Sequence, residues 1–321
     1  MDLFNINAVS SQIVSANGDK HIFFGIDNKY IYHSLITIMS LSENADRSIY
    51  QFHIISSELN DTDAKLFIKI LAGTQHGLIF HHAGDNLFNS LPTTTLFTRA
   101  AYYRLLAPML VPDAERVLYL DADMVCLNSP AELWSIPMEQ GVIALVVGDS
   151  DSQQSRLANN IGLKNERYFN SGMMLIDVLQ WNNEHISEQT FNILNTPDRG
   201  FTYPDQDALN IVLEGSVLYV DRRFNYIEML AHDDQGYNTD VPSDTCIIHY
   251  AGADKPWQEW NKQKVCRYYR DIYCRSPIAG QPFDLPSNHH QAKKMYKSMF
   301  RSHQLLRGIY WRIRYYQMRY F

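Results

Sequence analysis

Two aspartates separated by one residue, Asp121 and Asp123, are the side chains of this 321-residue sequence best suited to chemistry. They follow an apolar run at 116–120 that is typical of a short buried strand. Side chains at i and i+2 leave the same face of a strand, so the pattern predicts two carboxylates at one point. Such a pair is unfavourable unless a cation neutralises it or one group stays protonated. The pattern therefore indicates a divalent metal, although a lone Asp-x-Asp also fits two polar residues that cap a turn.

A histidine supplies a third candidate ligand. His249 ends another apolar run, and Gly252 and Lys255 follow it at offsets of three and six. One imidazole with two carboxylates suits Mn²⁺ or Mg²⁺ rather than a metal that prefers thiolates. A lysine beside such a metal can neutralise phosphate oxygens. The alternative for His249 is a buried structural histidine.

The elements that position these residues alternate between strand and helix patterns. Strands are expected at 21–27, 51–56, 78–82, 116–121, 142–147 and 173–177, and helices at 30–42, from 61, and at 98–106, 184–195 and 205–214. This alternation predicts an α/β domain with a largely parallel sheet. Ligands of such sheets bind beyond the carboxyl ends of the strands, where Asp27 and the aspartate pair fall.

Composition excludes several classes of protein. Apolar residues make up 45% of the chain and charged residues 20%, which is ordinary for a globular protein. The four cysteines lack Cys-x-x-Cys spacing, which argues against zinc and a disulfide framework and favours a reducing compartment. The N-terminus lacks the features of a signal peptide, and every apolar run is far shorter than the roughly 20 residues of a membrane span. We therefore expect a cytoplasmic protein.

The net charge of −7 hides two oppositely charged regions. Eight basic residues and no acidic one follow Asp284, whereas the preceding chain carries 20 basic and 35 acidic residues. Residues 293–321 are also rich in Trp and Tyr, a combination that predicts docking on an anionic membrane surface. The alternative is a helical hairpin packed on the acidic body. Nucleic acid is not expected, because that body is strongly acidic.

Five ordered motifs around the aspartate pair resemble glycosyltransferase family 8, the retaining, UDP-sugar-dependent enzymes of the GT-A fold. They are Phe24-Gly-Ile-Asp-Asn-Lys-Tyr30, Ala101-Tyr-Tyr-Arg104-Leu, Tyr168-Phe-Asn-Ser-Gly172, Tyr203-Pro-Asp-Gln-Asp207-Ala-Leu-Asn210 and His249-Tyr-x-Gly252-x-x-Lys255-Pro-Trp257. The resemblance runs from about His21 to Trp260. Within the family, the length and the closing region are most similar to lipopolysaccharide core glucosyl- and galactosyltransferases.

The resemblance implies a role for each candidate residue. UDP and its metal would be bound by Asp27, Asn28, Tyr30, Asp121, Ala122, Asp123, His249, Gly252 and Lys255. Among these, Tyr30 would stack on uracil, and Asp121, Asp123 and His249 would hold Mn²⁺ or Mg²⁺. The transferred hexose would be recognised by Arg104, Asn170, Asp205 and Gln206, with Asp207 orienting its neighbours.

Retention of the anomeric configuration limits the reaction to two candidate mechanisms. Retaining glycosidases use a carboxylate nucleophile, but the residue best placed by resemblance is Gln206, whose amide is a poor nucleophile. Front-face substitution is therefore favoured, with Gln206 stabilising positive charge at the anomeric carbon. A double displacement through Asp205 is the second mechanism.

The implied function is metal-dependent transfer of glucose or galactose from UDP-glucose or UDP-galactose to a lipopolysaccharide or lipooligosaccharide core sugar in α linkage. The acceptor would be lipid-linked, at the cytoplasmic face of the inner membrane. We expect an N-terminal extension at 1–20, a GT-A domain at 21–265, and a C-terminal helical, membrane-associating region at 266–321.

Two other functions compete. A phosphohydrolase of the haloacid dehalogenase type also places Asp-x-Asp after an apolar strand, but near the N-terminus and with a threonine where this chain has Val125. A non-catalytic protein that binds sugar nucleotides or glycans would be expected to lose the metal ligands or the Asp-Gln-Asp segment. Both are present, which favours an enzyme.

Overall fold

The computed structural model describes residues 6–84, 86–94, 98–150, 153–196, 200–230 and 240–320. Residues 1–5 of the expected N-terminal extension and Phe321 of the expected tail lie outside the described residues. The chain forms two compact units. The first is Met1–Ile227 with Asp244–His249, and the second is Glu228–Ser243 with Tyr250–Phe321.

The strands of the described residues build two sheets in the first unit. In chain order they are β1 (Val9–Ser15), β2 (Lys20–Gly25), β3 (Tyr50–Ser56), β4 (Gly77–Ala83), β5 (Arg116–Leu120), β6 (Met124–Cys126), β7 (Ala144–Gly148), β8 (Phe169–Asp177), β9 (Val217–Tyr219), β10 (Tyr226–Ile227) and β11 (Ile247–His249). The large sheet has the order β1-β4-β3-β2-β5-β8-β7-β9, and the small sheet has the order β10-β11-β6.

The large sheet is mixed. β4, β3, β2 and β5 are parallel to one another, and β9 is parallel to β7. β8 is antiparallel to both of its neighbours, and β1 is antiparallel to β4. Every residue of β3 is buried, as expected for an inner strand covered on both faces. The predicted α/β class is confirmed, with the parallel strands concentrated on one side of the sheet.

The helices connect these strands and also form much of the second unit. The α-helices of the described residues are α1 (Ile31–Glu43), α2 (Asp61–Leu71), α3 (Ala107–Leu110), α4 (Gln154–Ile161), α5 (Val178–Asn183), α6 (Ile186–Leu194), α7 (Pro204–Val212), α8 (Cys266–Arg275), α9 (His289–Arg301) and α10 (Leu305–Tyr320). Short 3₁₀ helices cover Ile6–Ala8, Arg99–Leu106, Ala131–Ser135 and Arg222–Asn225.

Local chemistry explains where the elements differ from the sequence patterns. α2 is capped by Asn60, whose side chain accepts hydrogen bonds from the backbone N–H groups of Thr62 and Asp63. The helical pattern at 98–106 forms a 3₁₀ helix that continues into α3. β1 has no counterpart among the expected strands, because its sequence Val-Ser-Ser-Gln-Ile-Val-Ser is mostly polar and most of its side chains are exposed.

The aspartate pair is positioned differently from the prediction. β5 ends at Leu120 and β6 begins at Met124, so Asp121 and Asp123 lie in the turn between two strands that belong to different sheets. The expectation that both carboxylates project from one strand is therefore wrong. Their convergence results from a tight turn and not from the two-residue period of a strand.

The second unit has its own small core. Trp260 packs with Ala292, Met295 and Met299 of α9 and with Trp311 and Tyr315 of α10. α9 and α10 approach closely at Gly308, where an added Cβ would lie 2.5 Å from Phe300 Cε1. Among the described residues, no helix combines the length and the apolar character that a membrane span requires.

A chain of histidines crosses the large sheet between β1 and β2. Ser11 Oγ lies 2.7 Å from His81 Nδ1, His81 Nε2 lies 2.8 Å from His53 Nδ1, and His53 Nε2 lies 2.9 Å from His21 Nδ1. The His53 ring also stacks on Phe23. Burial lowers the pKa of His81 to about 4, and burial together with the two neighbouring imidazoles holds the pKa of His53 well below its usual value.

We expect acid to destabilise the first unit through this chain. His81 folds in its neutral form, so its contribution is complete above the unfolded pKa of about 6.5 and is lost as the pH falls toward about 4. For His81 alone, the unfolding free energy should fall by about 2 kcal/mol between about pH 7 and pH 5. Urea unfolding across this range should show a shallower pH dependence for His81→Gln, whereas His82→Gln, which replaces the exposed residue next to it in β4, should keep the wild-type slope. Equal slopes for the wild type and His81→Gln would refute this assignment.

Candidate active site

Three potential metal ligands meet at the junction of the two sheets. β11 pairs antiparallel with β6, and this register sets His249 opposite Met124, next to the turn that carries Asp121 and Asp123. His249 Nε2 lies 3.3 Å from Asp123 Oδ1 and 3.9 Å from Asp121 Oδ2. One ligand atom from each residue lies within 4.8 Å of the others. The side chains of His249, Asp123 and Asp121 are 4%, 10% and 27% exposed, so the site is open mainly at Asp121.

The turn that carries the aspartates is fixed by α1. Thr37 Oγ1 lies 3.0 Å from the carbonyl oxygen of Ala122 and 2.8 Å from that of Met124. Ser40 Oγ accepts a hydrogen bond of 2.9 Å from the backbone N–H of Cys126. Because these hydroxyls bond the backbone of Ala122 and of β6, the peptide between the two aspartates is held in place without the use of either carboxylate.

Gly172 leaves the space in which the ligands converge. Its carbonyl oxygen accepts a 2.8 Å hydrogen bond from the Asp121 N–H, so β8 lies directly beside the turn. A Cβ at this position would lie 2.5 Å from His249 Cε1 and 2.7 Å from Asp121 Oδ2. Only glycine therefore fits here without moving a candidate ligand.

Arg104 is a buried cation that links the candidate metal ligand Asp121 to Asp205 of α7. Its guanidinium donates to Asp121 Oδ1 at 2.8 Å and to the Ser171 carbonyl at 2.8 Å, and it lies 3.2 Å from Asp205 Oδ2. Burial alone would lower the pKa of Arg104, but Asp121 and Asp205 outweigh it and raise that pKa. Burial raises the pKa of the Asp205 carboxyl, which Arg104 opposes. Arg104 thus holds two carboxylates that would otherwise repel each other.

Side-chain amides line the surface next to this ion pair. Gln206 Oε1 accepts hydrogen bonds from the Ser171 N–H at 3.0 Å and from Asn170 Nδ2 at 3.1 Å. Asn210 bonds both the N–H and the C=O of Phe169, which ties α7 to β8. The expected sugar residues Arg104, Asn170, Asp205 and Gln206 are therefore brought together by the structure.

Asp207 has a local role. Its carboxylate accepts hydrogen bonds from the N–H groups of Thr202 and Tyr203 at 2.7 Å and 3.0 Å, and from the Tyr168 hydroxyl. Burial raises the pKa of the Asp207 carboxyl, and the hydrogen bonds from these three donors offset part of that rise. An acidic residue in the first turn that bonds back to the N–H groups preceding the helix stabilises its start. Asp207 thereby orients α7, which carries Asp205 and Gln206.

The expected nucleotide residues lie at the end of a neighbouring strand. β2 and β5 are parallel neighbours, so the loop after β2 and the aspartate turn follow the carboxyl ends of adjacent strands. Asp27 accepts hydrogen bonds from the Thr98 hydroxyl at 2.9 Å and from the Lys29 N–H at 3.0 Å. The Asn28 N–H donates to Glu58, and Tyr30 precedes α1 with a half-buried ring.

Gly252 and Lys255 belong to the second unit. Gly252 has a φ of +84°, a left-handed conformation that favours glycine. Lys255 is buried, and its ammonium donates a 2.7 Å hydrogen bond to the Tyr250 carbonyl. Their expected roles at the diphosphate stay predictions.

Two residues were missed by the sequence analysis. Asn225 Oδ1 lies 3.1 Å from His249 Nδ1, and Asp149 Oδ2 lies 3.4 Å from Gln206 Nε2. Neither lies in a motif of residue types that suggests chemistry. Asp149 follows the apolar strand β7, and its place after the carboxyl end of a strand is the one signal that could have identified it.

Together these residues form a candidate nitrogen–oxygen cation site beside a cluster of buried side-chain amides and the Arg104 guanidinium. Such a ligand set suits Mn²⁺ or Mg²⁺, and such amides suit sugar hydroxyls, which both donate and accept hydrogen bonds. This combination is typical of an enzyme that handles a phosphorylated sugar.

Comparison with known proteins identifies the class. The profile of glycosyl transferase family 8 matches residues 21–261, and that of the family 8 C-terminal region matches residues 265–318. The chain belongs to glycosyl transferase family 8, and it is a glycosyltransferase.

Relatives and solved structures agree with this assignment. The chain is 30% identical to lipopolysaccharide 1,2-glucosyltransferase of Escherichia coli K12 over 90% of this chain and 88% of the relative. It is 29% identical to lipopolysaccharide 1,3-galactosyltransferase of Salmonella typhimurium over 94% and 92%. The crystal structure of galactosyltransferase LgtC with donor and acceptor sugar analogues superimposes with a TM-score of 0.70 over 83% of this chain and 98% of LgtC. At 21% identity, this likeness establishes the fold, which confirms the predicted GT-A-like architecture.

The Gly172 geometry predicts the effect of one methyl group. In Gly172→Ala the new Cβ should displace His249 or Asp121, and the affinity for Mn²⁺ should fall at least about tenfold, which corresponds to about 1.4 kcal/mol. Isothermal titration calorimetry measures this affinity. Gly84→Ala is the control, because the three atoms nearest to its added Cβ all belong to Ala8. Unchanged Mn²⁺ affinity in folded Gly172→Ala would show that the ion does not bind between these ligands.

Proposed function

We propose that this enzyme transfers glucose or galactose from a UDP-sugar to a core sugar of a lipopolysaccharide or lipooligosaccharide, with retention and hence in α linkage. The observation that carries this proposal is the cluster of Asp121, Asp123 and His249 beside the side-chain amides of Asn170 and Gln206. The names of the lipopolysaccharide glucosyl- and galactosyltransferases that it resembles along most of their length support the donor and acceptor classes.

Asp121, Asp123 and His249 would hold Mn²⁺ or Mg²⁺. The fit rests on the donor set and on the space that Gly172 leaves between the ligands. The bound cation would neutralise charge on the departing nucleoside diphosphate. The remaining parts of the donor site would be supplied by Asp27, Asn28 and Tyr30 for the uridine, and by Gly252 and Lys255 for the diphosphate. These nucleotide contacts rest on the family resemblance.

The contacts of Asp205 and Gln206 favour front-face substitution. Asp205 is buried and paired with Arg104, which reduces the availability of its carboxylate as a nucleophile. Gln206 is held by the Ser171 N–H and Asn170, so its amide dipole is fixed before substrate binds. In this mechanism the bond between the anomeric carbon and the diphosphate oxygen breaks, and the acceptor oxygen bonds to the same face. The acceptor proton passes to the departing phosphate oxygen.

We assign the transferase to residues 21–265 and membrane association to residues 266–321, at the cytoplasmic face of the inner membrane. The support is the outer face of α10. Large apolar side chains there are exposed at helical spacing, and they include Leu306, Ile309, Ile313, Tyr316 and Tyr320. The opposite face, with Trp311 and Tyr315, is buried in the unit's own core. α10 therefore has a second apolar face that the fold of this unit does not bury.

The charge around this face indicates what kind of surface it binds. Arginines at 307, 312, 314 and 319 lie on the same helix, and no acidic residue occurs after Asp284. A groove of about 590 Å³ is lined by the apolar Leu285, Leu306 and Tyr310 together with Arg307 and Arg314. Apolar side chains flanked by guanidinium groups suit an anionic lipid surface, which a transferase with a lipid-linked acceptor would need to reach.

The catalytic proposal predicts donor turnover that depends on a divalent ion. UDP release from a panel of UDP-sugars should be highest with UDP-glucose or UDP-galactose, stop with EDTA and return with Mn²⁺. Asp123→Ala should lower kcat/KM by at least about 100-fold, because it removes a ligand of the ion. Asp113→Ala, an exposed acid of the same unit, is the matched control. Tight UDP-sugar binding without turnover would instead identify a sugar-nucleotide-binding protein, and undiminished turnover by Asp123→Ala would refute the metal site.

The membrane proposal predicts that the outer face of α10 controls binding to vesicles. A triple variant, Leu306→Ser, Ile309→Ser and Ile313→Ser, should lose sedimentation with phosphatidylglycerol vesicles while keeping UDP release. The matched control changes three exposed apolar residues of the first unit to serine, namely Ile13, Ile68 and Leu179. These substitutions spare Trp311 and Tyr315, whose deletion with the tail would disturb the core around Trp260. Equal sedimentation of the two variants would exclude this face as the docking surface.

A further inference from the structure

A continuous chain of side-chain hydrogen bonds links the candidate metal ligand to the candidate sugar site. His249 Nδ1 lies 3.1 Å from Asn225 Oδ1, and Asn225 Nδ2 donates to Asn170 Oδ1 at 3.0 Å. Asn170 Nδ2 donates to Gln206 Oε1 at 3.1 Å, and Gln206 Nε2 lies 3.4 Å from Asp149 Oδ2. All five residues belong to the first unit. We call this set the amide chain.

Two backbone groups determine the direction of the amide chain. The Gly172 N–H donates to Asn170 Oδ1 at 3.1 Å, and the Ser171 N–H donates to Gln206 Oε1 at 3.0 Å. A backbone N–H can only donate, so the oxygen of each of these amides must face it. Asn225 must then present its NH₂ group to Asn170 Oδ1 and its carbonyl oxygen to His249. It follows that His249 carries its proton on Nδ1.

This tautomer suits a metal ligand. With the proton on Nδ1, the lone pair of Nε2 points toward Asp121 and Asp123, where a cation would bind. If Asn225 were turned around, its NH₂ group would face Nδ1 and the proton would lie on Nε2, where it would block the cation. The hydrogen bond made by the second ring nitrogen commonly sets which nitrogen binds the metal.

We propose that Asn225 is a positioning residue that holds His249 in its metal-binding tautomer and couples metal binding to the sugar site through Asn170. The inference rests on the proposed metal-dependent function. Asn225 is fully buried, so loss of its partners could not be compensated by bulk water. The bonds run head to tail from an imidazole N–H to a carboxylate, and aligned bonds of this kind polarise one another. Polarisation of the His249 N–H by a cation at Nε2 should therefore tighten Asn170 and Gln206 against the hexose.

Two substitutions separate the ends of the amide chain. Asn225→Ala removes both the acceptor for His249 and the donor for Asn170. Asn225→Asp keeps an oxygen that accepts from His249, but its second carboxylate oxygen faces Asn170 Oδ1 and cannot donate to it. Only the hydrogen bond toward the sugar site should therefore be lost. If Asn225 merely fills space in the core, the two variants should not differ in this way.

The experiment measures ion and ligand affinities of the full chain and not its activity alone. Mn²⁺ binding, followed by the electron paramagnetic resonance signal of the free ion, should weaken about 10- to 100-fold in Asn225→Ala, as is typical when a partner of a ligating histidine is removed. In Asn225→Asp it should stay within about threefold of the wild type, since a carboxylate supports a ligating imidazole. The ratio of the dissociation constants of UDP and UDP-sugar at saturating Mn²⁺ reports the hexose contacts, and it should fall in both variants.

The controls distinguish failure of this inference from failure of the proposed function. Asn182→Ala, which removes a hydrogen bond to Pro108 elsewhere in the first unit, should keep both affinities. If Asn225→Ala does not fold, Asn225→Ser makes the same comparison. Wild-type Mn²⁺ affinity in a folded Ala or Ser variant, or equal loss in Asn225→Asp, would overturn the role of Asn225 alone. A wild-type chain that binds neither Mn²⁺ nor Mg²⁺ would overturn the proposed metal site and this inference with it.

Discussion

The constraint on which the site depends is the crowding of carboxylates at the end of β5. Asp121 and Asp205 lie against the buried guanidinium of Arg104, and Asp121 and Asp123 lie beside the His249 imidazole. With three ionised carboxylates, one guanidinium and an uncharged imidazole, this group would carry a net charge of −2. Asp121 shows how the charge is divided, because Oδ1 bonds Arg104 whereas Oδ2 faces His249. A divalent cation on the His249 side would neutralise the cluster, which gives the donor set an electrostatic reason to bind one.

The two-sheet architecture produces this crowding. The chain leaves the large sheet at Leu120 and enters the small sheet at Met124, so the aspartate turn lies where the sheets separate. β11 then returns His249 to the same place by pairing with β6, although more than a hundred residues separate them in the chain. Backbone pairing therefore brings the candidate ligands together, while Thr37 and Ser40 of α1 bond backbone groups of the turn and of β6. The candidate ligands therefore lie in a tight turn between two strands and at the end of a third strand, and not on long loops.

The sequence predicted the inner strands well, because fully buried strands such as β3 carry nearly continuous apolar runs. It did not predict β1, an edge strand of mostly polar residues that pairs only with β4. It predicted that Asp121 and Asp123 converge, but for the wrong reason, since a turn and not a strand holds them. Asn225 could not be predicted at all. Its importance depends on which way an amide points, and that follows from the backbone N–H groups of Ser171 and Gly172, which no sequence pattern encodes.

The same charge constraint explains why amides, and not further carboxylates, lie beside Arg104 at the proposed sugar site. A carboxylate at 206 or 170 would add negative charge beside Asp205 and Asp121, and it could not donate hydrogen bonds to its neighbours. An amide both accepts from the backbone of β8 and donates to the next residue, so it orders these side chains without changing the charge that a cation would balance. The buried cation beside these amides, Arg104, has its guanidinium bonded to Asp121, Asp205 and Ser171. Neutral amides would thus allow hydroxyl groups to be recognised close to a charged centre, while the negative charge stays on the side of the proposed cation.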